Sequence, residues 1–252
     1  MLEELLRLNL FAFFLIFARI GTAIMFLPGF SATYVAARFR LALALAISFV
    51  TFPVLAAQLP VPPSAFPDMA LMFVGEIIIG SFFGLILRVL ISSLQTAGTI
   101  ASLASSMANA LVQDPIAEQQ SSTISGFLLT IGVVLIFVTD MHHLMLRALL
   151  ETYTMFEPGQ TLPFGDFADA IGRQVADSFA LGLQMSAPFV VIGLTYYIGL
   201  GLLGRLMPQL PVFFFGLPLQ ITLQIFVFTI TLSGIMLAFV QTFEAKVYRF
   251  IP

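Results

Sequence analysis

Long uncharged, apolar segments alternate with short polar connections along the whole chain. The longest run, residues 206–243, holds 38 residues without a charge or a histidine. As one straight helix it would extend roughly 57 Å, about twice the hydrocarbon core of a bilayer. Pro208, Pro211 and Pro218 interrupt its first part, because proline lacks a backbone donor and clashes with the preceding turn. We therefore predict an apolar hairpin with a reversal at 207–212, a kinked entry at 216–218 and a helix from Leu219 to Phe243.

The same hydrophobic pattern predicts further helices upstream of this hairpin. A proline-dense stretch at 60–68 and a polar stretch at 157–169 are expected to be connections rather than helices. The predicted helical segments are 5–27, 41–59, 69–87, 92–110, 125–156 and 168–203. The expected fold is all-α, a polytopic membrane protein of long, kinked helical hairpins.

The composition supports a membrane location. Hydrophobic residues make up 60% of the chain and charged residues 9%, whereas a soluble domain carries about 25% charged residues. The 252 residues suffice for six or seven helices, so we expect one membrane domain over 1–252. The net charge of −3 argues against a nucleic-acid partner. The N-terminal segment begins acidic and continues into a full-length span, which argues against a cleavable signal peptide.

Small residues recur every four positions between Ser92 and Ala110. One row runs from Ser93 to Asn109, and a second row from Gly98 to Ala110 lies beside it. Such rows let helix backbones approach closely, and they indicate a tightly packed internal helix. A helix bordering a polar conduit is the alternative, because several amides and hydroxyls here are unsuited to lipid. Including an upstream GxxxG motif, the predicted close-packing residues are Gly80, Gly84, Ala97, Gly98, Ala101 and Ser105.

Three charged residues fall within or beside apolar spans: Arg19, Glu76 and Arg88. An intramembrane carboxylate is costly and needs a partner. For Glu76 the sequence leaves open an ion pair with Arg19 or Arg88, a hydrogen bond to a neighbouring subunit, or a proton-coupled site. Because no second intramembrane carboxylate stands at a matching position, a structural role is favoured over a proton relay.

The stretch TDMHHLML contains the two histidines of the chain. At helical spacing Asp140 and His143 could share a face, which gives two ligands at most from that face. The sequence contains no HExxH, GxSxG or P-loop motif. We therefore expect no catalytic site, no metal site and no cofactor, and interpret the cluster as interfacial.

A small secondary transporter is the alternative from another functional class. Such a protein places polar substrate ligands on broken helices near the midplane. The proline-broken region at 207–218 offers little beyond Gln209, with Gln220 just after it, which disfavours this alternative.

Five stretches resemble one known family in order and spacing. They are ARIGTAIMFLPGFSATYVAARFRLALALAISFVTFP, GEIIIGSFFGLILRVLISSLQTAGTIAS, DPIAEQQ, DMHHLMLRAL and GLLGRLMPQLPVFFFGLPLQI. Together they resemble the FliR/SpaR/YscT/HrcT family of type III secretion export-gate subunits over nearly the whole chain. Pro211 departs from the asparagine that many relatives carry, which affects the turn geometry at the hairpin tip.

This resemblance implies a function that composition alone does not give. It implies a non-catalytic subunit of the flagellar export gate in the bacterial inner membrane, at the basal body. The expected partners are FliP and FliQ, together with FlhB and FlhA, and unfolded flagellar proteins are the expected cargo. The equivalent subunit of a virulence secretion system is the alternative. Residues 1–156 resemble the P-type subunit, and residues 168–252 resemble the Q-type hairpin.

The resemblance also implies two groups of site residues. The loop after the small-residue helix forms a plug inside the channel in this family, and it corresponds to residues 106–120. The candidate plug residues are Met107, Asn109, Leu111, Val112, Asp114 and Pro115. The hairpin tip is expected to dock another subunit at the cytoplasmic base, through Arg205, Pro208, Gln209, Pro211 and Phe213.

Overall fold

Helices build almost all of the described chain. The structure, a computed structural model, describes residues 2–32, 34–105, 111–113, 120–207, 209 and 212–251. Within them the helices are α1 (Leu2–Phe26), α2 (Ala37–Leu55), α3 (Phe66–Ala104), α4 (Thr123–Val138), α5 (Met141–Met155), α6 (Phe164–Leu206) and α7 (Val212–Val247). The all-α prediction is confirmed. One unpredicted element is a short antiparallel ladder of β1 (Leu111–Gln113) and β2 (Gln120–Ser122).

Several of these helices are long and apolar enough to cross a bilayer. Among the described residues α2, α3, α6 and most of α7 meet this requirement, and α4 with α5 make a fifth candidate if the two count as one broken span. The apolar part of α1, Leu10–Phe26, is shorter. The chain is therefore a polytopic membrane protein, as its composition predicts.

Several predicted boundaries of the upstream helices are wrong, and two of them change how the chain divides into helices. The segments predicted at 69–87 and 92–110 belong to the single helix α3, which ends at Ala104. Arg88 does not end the helix, because one charged side chain, exposed here, leaves the backbone hydrogen bonds intact. Conversely, the segment predicted at 125–156 is broken at Thr139 and Asp140, where Asp140 takes a left-handed conformation with φ 57°.

The predicted start of the last helix is also wrong. α7 begins at Val212, seven residues before Leu219, and includes Pro218. Pro218 lies in the second turn of α7, where it removes the hydrogen bond to the carbonyl of residue 214 and its ring crowds that carbonyl, yet the helix continues through it. Nearby, the Tyr196 hydroxyl donates a hydrogen bond to the Gly216 carbonyl, which gives this turn a partner from α6.

The chain divides into two compact units. Unit 1 comprises the described residues within 1–90, 139–174 and 244–252, and unit 2 those within 91–138 and 175–243. In unit 1 a core cluster includes Ile79, Phe82, Ile86 and Phe167, with the rings of Phe82 and Phe167 stacked 4.1 Å apart. Both units contain buried polar side chains, and these carry the candidate sites.

Candidate functional site

A fully buried ion pair joins α1 to α3 in unit 1. The Arg19 Nε donates to Glu76 Oε2 at 2.6 Å, and Nη2 donates to Oε1 at 2.9 Å. Arg19 is 0% exposed and Glu76 is 1% exposed. Two parallel charge-assisted hydrogen bonds of this kind fix distance and orientation together. Of the alternatives left open for Glu76, the structure therefore has the ion pair with Arg19, whereas Arg88 is exposed.

The end of α5 supplies the remaining acceptors of Arg19. Nη1 donates to the Thr152 carbonyl at 3.0 Å and to its hydroxyl at 3.3 Å, and Nη2 donates to the Phe156 carbonyl at 2.9 Å. With the two Glu76 oxygens, these contacts match the five N–H donors of a guanidinium. A cation at a helix C-terminus is also stabilised by the helix dipole. Each N–H donor of the buried guanidinium thus has an acceptor.

Tyr153 completes the environment of Arg19. The guanidinium carbon lies 3.9 Å from the centroid of the Tyr153 ring, a cation–π distance. The Tyr153 hydroxyl donates to the Ile16 carbonyl at 3.4 Å, so α5 contacts α1 directly as well as through the ion pair. Sequence reasoning missed Thr152 and Phe156, because backbone carbonyl acceptors carry no residue signature, and it did not single out Tyr153.

A row of glycines explains how α1 and α3 approach closely enough for this pair. Glu76, Gly80 and Gly84 stand four residues apart, and therefore share one face of α3. A Cβ at Gly80 would collide with the Arg19 carbonyl oxygen and the Thr22 hydroxyl. A Cβ at Gly84 would lie 2.7 Å from the Phe26 Cβ. Gly80 and Gly84 therefore lie directly against α1, where a side chain would collide with it.

In unit 2 the small residues of α3 pack against other helices. Ala97, Ala101 and Ser105 are buried, and a Cβ at Gly98 would meet the backbone of Ser125 in α4. On the α6 side, Gly182 packs against Thr96, whose Cβ lies 2.8 Å from the position of a Gly182 Cβ. These contacts favour the packed internal helix over the polar conduit.

The hydroxyls of this helix find partners nearby. The Ser102 hydroxyl donates to the Gly98 carbonyl at 2.8 Å, and the Ser105 hydroxyl donates to the Ser102 carbonyl at 3.0 Å. Ser122 accepts a hydrogen bond from the Ser125 N–H at 3.2 Å and donates to the Gly98 carbonyl at 3.4 Å. The residues flanking the predicted plug loop are therefore attached to α3 by close packing and hydrogen bonds.

The predicted plug and tip residues are only partly described. In β1, Leu111 pairs with Ser122 and Val112 pairs with Ser121. At the tip, Arg205 is exposed in the last turn of α6, Gln209 lies in a turn, and Phe213 lies in the first turn of α7. The plug candidates Met107, Asn109, Asp114 and Pro115 and the tip candidates Pro208 and Pro211 lie outside the described residues.

The Asp140 cluster is more compact than helical spacing predicts. The Asp140 Oδ1 lies 3.5 Å from the His143 Nδ1, and the two histidine rings lie 4.0 Å apart. Ligand atoms of Asp140, His142 and His143 all lie within 4.8 Å of one another. Sequence reasoning counted only Asp140 and His143 together, because it treated residue 140 as part of a continuous helix.

Comparison with known proteins places the chain among bacterial secretion components. The profile of the family described as "Bacterial export proteins, family 1" matches residues 10–245. The chain is 33% identical to the flagellar biosynthetic protein FliR of Caulobacter vibrioides, over 91% of this chain and 92% of that protein. It is 30% identical to FliR of Bacillus subtilis, over 94% and 92%. The Yop proteins translocation protein T of Yersinia pestis is 25% identical, over 87% and 85%.

The packing of the glycine row predicts that alanine substitutions at two glycines of α3 will have different effects on stability. Gly80→Ala forces a methyl group into the α1 backbone, so it should destabilise the protein by about 1–3 kcal/mol, the usual cost of overpacking. Gly75→Ala is the matched control, because its Cβ would meet only a Leu162 methyl group at 4.0 Å. It should be neutral or stabilise α3 by about 0.5–1 kcal/mol. Unfolding in detergent, followed by circular dichroism, measures both variants, and equal effects would contradict the packing described here.

Proposed function

The chain belongs to family 1 of the bacterial export proteins, and from this premise we propose that it is a non-catalytic subunit of the flagellar type III protein export gate. The observation that carries the proposal is the match to that family over residues 10–245. The similarity to two FliR proteins covers more than nine-tenths of the chain. The proposed location is the bacterial inner membrane at the flagellar basal body, and the proposed cargo is unfolded flagellar protein.

The surfaces of the helices support a role inside an assembly. Large apolar side chains are exposed on several helices, for example Phe49 at 72% in α2 and Phe226 at 66% in α7. Such side chains require lipid or neighbouring protein around them. We assign part of this surface to sister subunits, FliP and FliQ first, with FlhB and FlhA as further partners. Residues 1–156 would occupy the position of a P-type subunit, and residues 168–252 that of a Q-type hairpin.

The flagellar system is preferred over a virulence secretion system. The two FliR relatives are 33% and 30% identical to the chain, whereas the Yersinia translocation protein is 25% identical. The virulence counterpart stays the second candidate, because it would use the same fold and the same kind of site.

Within this function we propose that residues 106–120 act as a plug. In the closed state this segment fills the lumen of the assembled channel, and in the open state cargo displaces it. Its flanks are suited to that role. The last turns of α3 pack against the start of α4 at Gly98 and Ser125, and the β1–β2 ladder pairs the two sides of the loop. The packing of α3 against α4 would then hold the residues on either side of the segment in place while the segment itself, including β1, is displaced.

Purification tests the assignment to an export gate. The full-length chain, tagged and expressed with FliP and FliQ of the same organism, should elute with both as one complex in detergent. Deleting its gene should abolish motility, and the plasmid-borne gene should restore it. Isolation as a homo-oligomer that transports a small solute by itself would instead indicate a secondary transporter. Normal motility with loss of effector secretion would indicate the virulence system.

The plug proposal predicts an ion leak. Deleting residues 115–118 shortens the loop and leaves both strands in place, so the lumen should be less completely filled. Cells or proteoliposomes carrying the assembled variant complex should then leak ions faster than the wild type. Size-exclusion chromatography provides the control, because the variant must assemble to the same size. An assembled variant with wild-type leak would refute the plug.

A further inference from the structure

The break between α4 and α5 brings three metal-ligating side chains together. One ligand atom from each of Asp140, His142 and His143 lies within 4.8 Å of the other two. Imidazole nitrogen and carboxylate oxygen are ligands that zinc and its neighbours in the first transition row bind well. Neither the family match nor the names of the relatives assign any role to this cluster.

The backbone of Asp140 creates this arrangement. In a regular helix residues 140 and 142 would point to opposite sides, but Asp140 lies before α5 with φ 57° and ψ 15°. Aspartate adopts this left-handed conformation more readily than most residues other than glycine. A residue other than glycine in this region often lies at a functional position.

The Asp140 side chain does not perform the structural task usual at its position. Asp140 is the N-cap residue of α5, yet its carboxylate makes no capping hydrogen bond. An N-cap aspartate normally accepts a hydrogen bond from the first turn of its helix. Here the Oδ1 instead lies 3.5 Å from the His143 Nδ1. The carboxylate is therefore directed at an imidazole nitrogen, as it would be in a shared coordination site.

We propose that Asp140, His142 and His143 bind one divalent transition-metal ion of the zinc class, with the remaining position taken by water. Metal–ligand bonds of about 2.0–2.2 Å place the ligands of a tetrahedral ion about 3.3 Å apart. The Asp140–His143 pair already has nearly this separation. The widest separation must shorten by about 1.5 Å to reach it. The side chains of Asp140 and His143 are 78% and 71% exposed, so rotation of these side chains can close the site without repacking a core.

The bound ion would stabilise the start of the helix whose end holds Arg19. α5 is 15 residues long, and its C-terminal carbonyls at Thr152 and Phe156 accept hydrogen bonds from Arg19. An ion that binds the folded chain alone stabilises it by mass action. Metal at Asp140 would therefore stabilise the left-handed conformation of this residue and the start of α5. Through α5 it would also stabilise the Thr152 and Phe156 carbonyls in the positions where they accept hydrogen bonds from Arg19.

Cobalt and copper titrations test this site in the full-length chain. The protein is purified in detergent with an affinity tag that contains no histidine, is treated with EDTA, and is then titrated with Co²⁺. We expect one Co²⁺ per chain, with ligand-field absorption bands that Zn²⁺ removes by competition. Because the chain has only two histidines, the electron paramagnetic resonance spectrum of a Cu²⁺ complex should show two coordinated imidazole nitrogens.

Three variants and one control locate the binding. Asp140→Gly removes the carboxylate while keeping a residue that tolerates positive φ, and His142→Ala and His143→Ala each remove one imidazole. Each should weaken Co²⁺ binding at least about tenfold, since even the loss of an outer-shell partner has such an effect. Asp169→Asn, which neutralises an exposed carboxylate in α6, should leave the affinity unchanged.

Several results would overturn the site. They are the absence of ligand-field bands in the wild type, a single imidazole in the copper spectrum, or wild-type affinity in any of the three ligand variants. The two wild-type spectra decide the question even if a variant fails to fold.

Discussion

The buried Arg19–Glu76 pair is the interaction on which the described part of unit 1 depends. Neither charge is tolerated alone in an apolar interior, because desolvating an ion costs several kcal/mol even after relaxation. The guanidinium therefore needs Glu76 from α3 and the carbonyls of Thr152 and Phe156 from α5 at the same time. Gly80 allows α1 and α3 to come close enough for the pair to form. Three helices distant in sequence are thus fixed by one side chain.

The two units differ in how their buried polar groups are hydrogen-bonded. In unit 1 the buried charges of Arg19 and Glu76 are joined by two parallel hydrogen bonds. In unit 2 the polar groups mostly bond within their own helix or to a neighbouring carbonyl, as Gln220 does to Ala104 at 3.0 Å. Ser105 and Ser122, on either side of the segment proposed as a plug, both donate hydrogen bonds to carbonyls in the last turns of α3.

The sequence predicted the kinds of elements well and their boundaries less well. Apolar runs revealed the helices, and the need of Glu76 for a counter-charge limited its partner to a few candidates. The continuation of α3 through Arg88 was not predicted, because an arginine after an apolar segment usually marks the end of a membrane span. The left-handed Asp140 was not predicted, because aspartate occurs within helices as well as at their starts. The carbonyl acceptors of Arg19 had no signal at all, because every residue carries a carbonyl and only the fold decides which one is near.

A double-mutant cycle on the ion pair tests the central claim most directly. The free energy of unfolding in detergent is measured for wild type, Arg19→Met, Glu76→Gln and the double variant. Each single change leaves a buried group without its partner and should cost about 3–5 kcal/mol, whereas the double variant should be far more stable than the sum of the two losses predicts. Additive losses, or a Glu76→Gln protein of wild-type stability that assembles but does not export, would contradict a structural role for the pair.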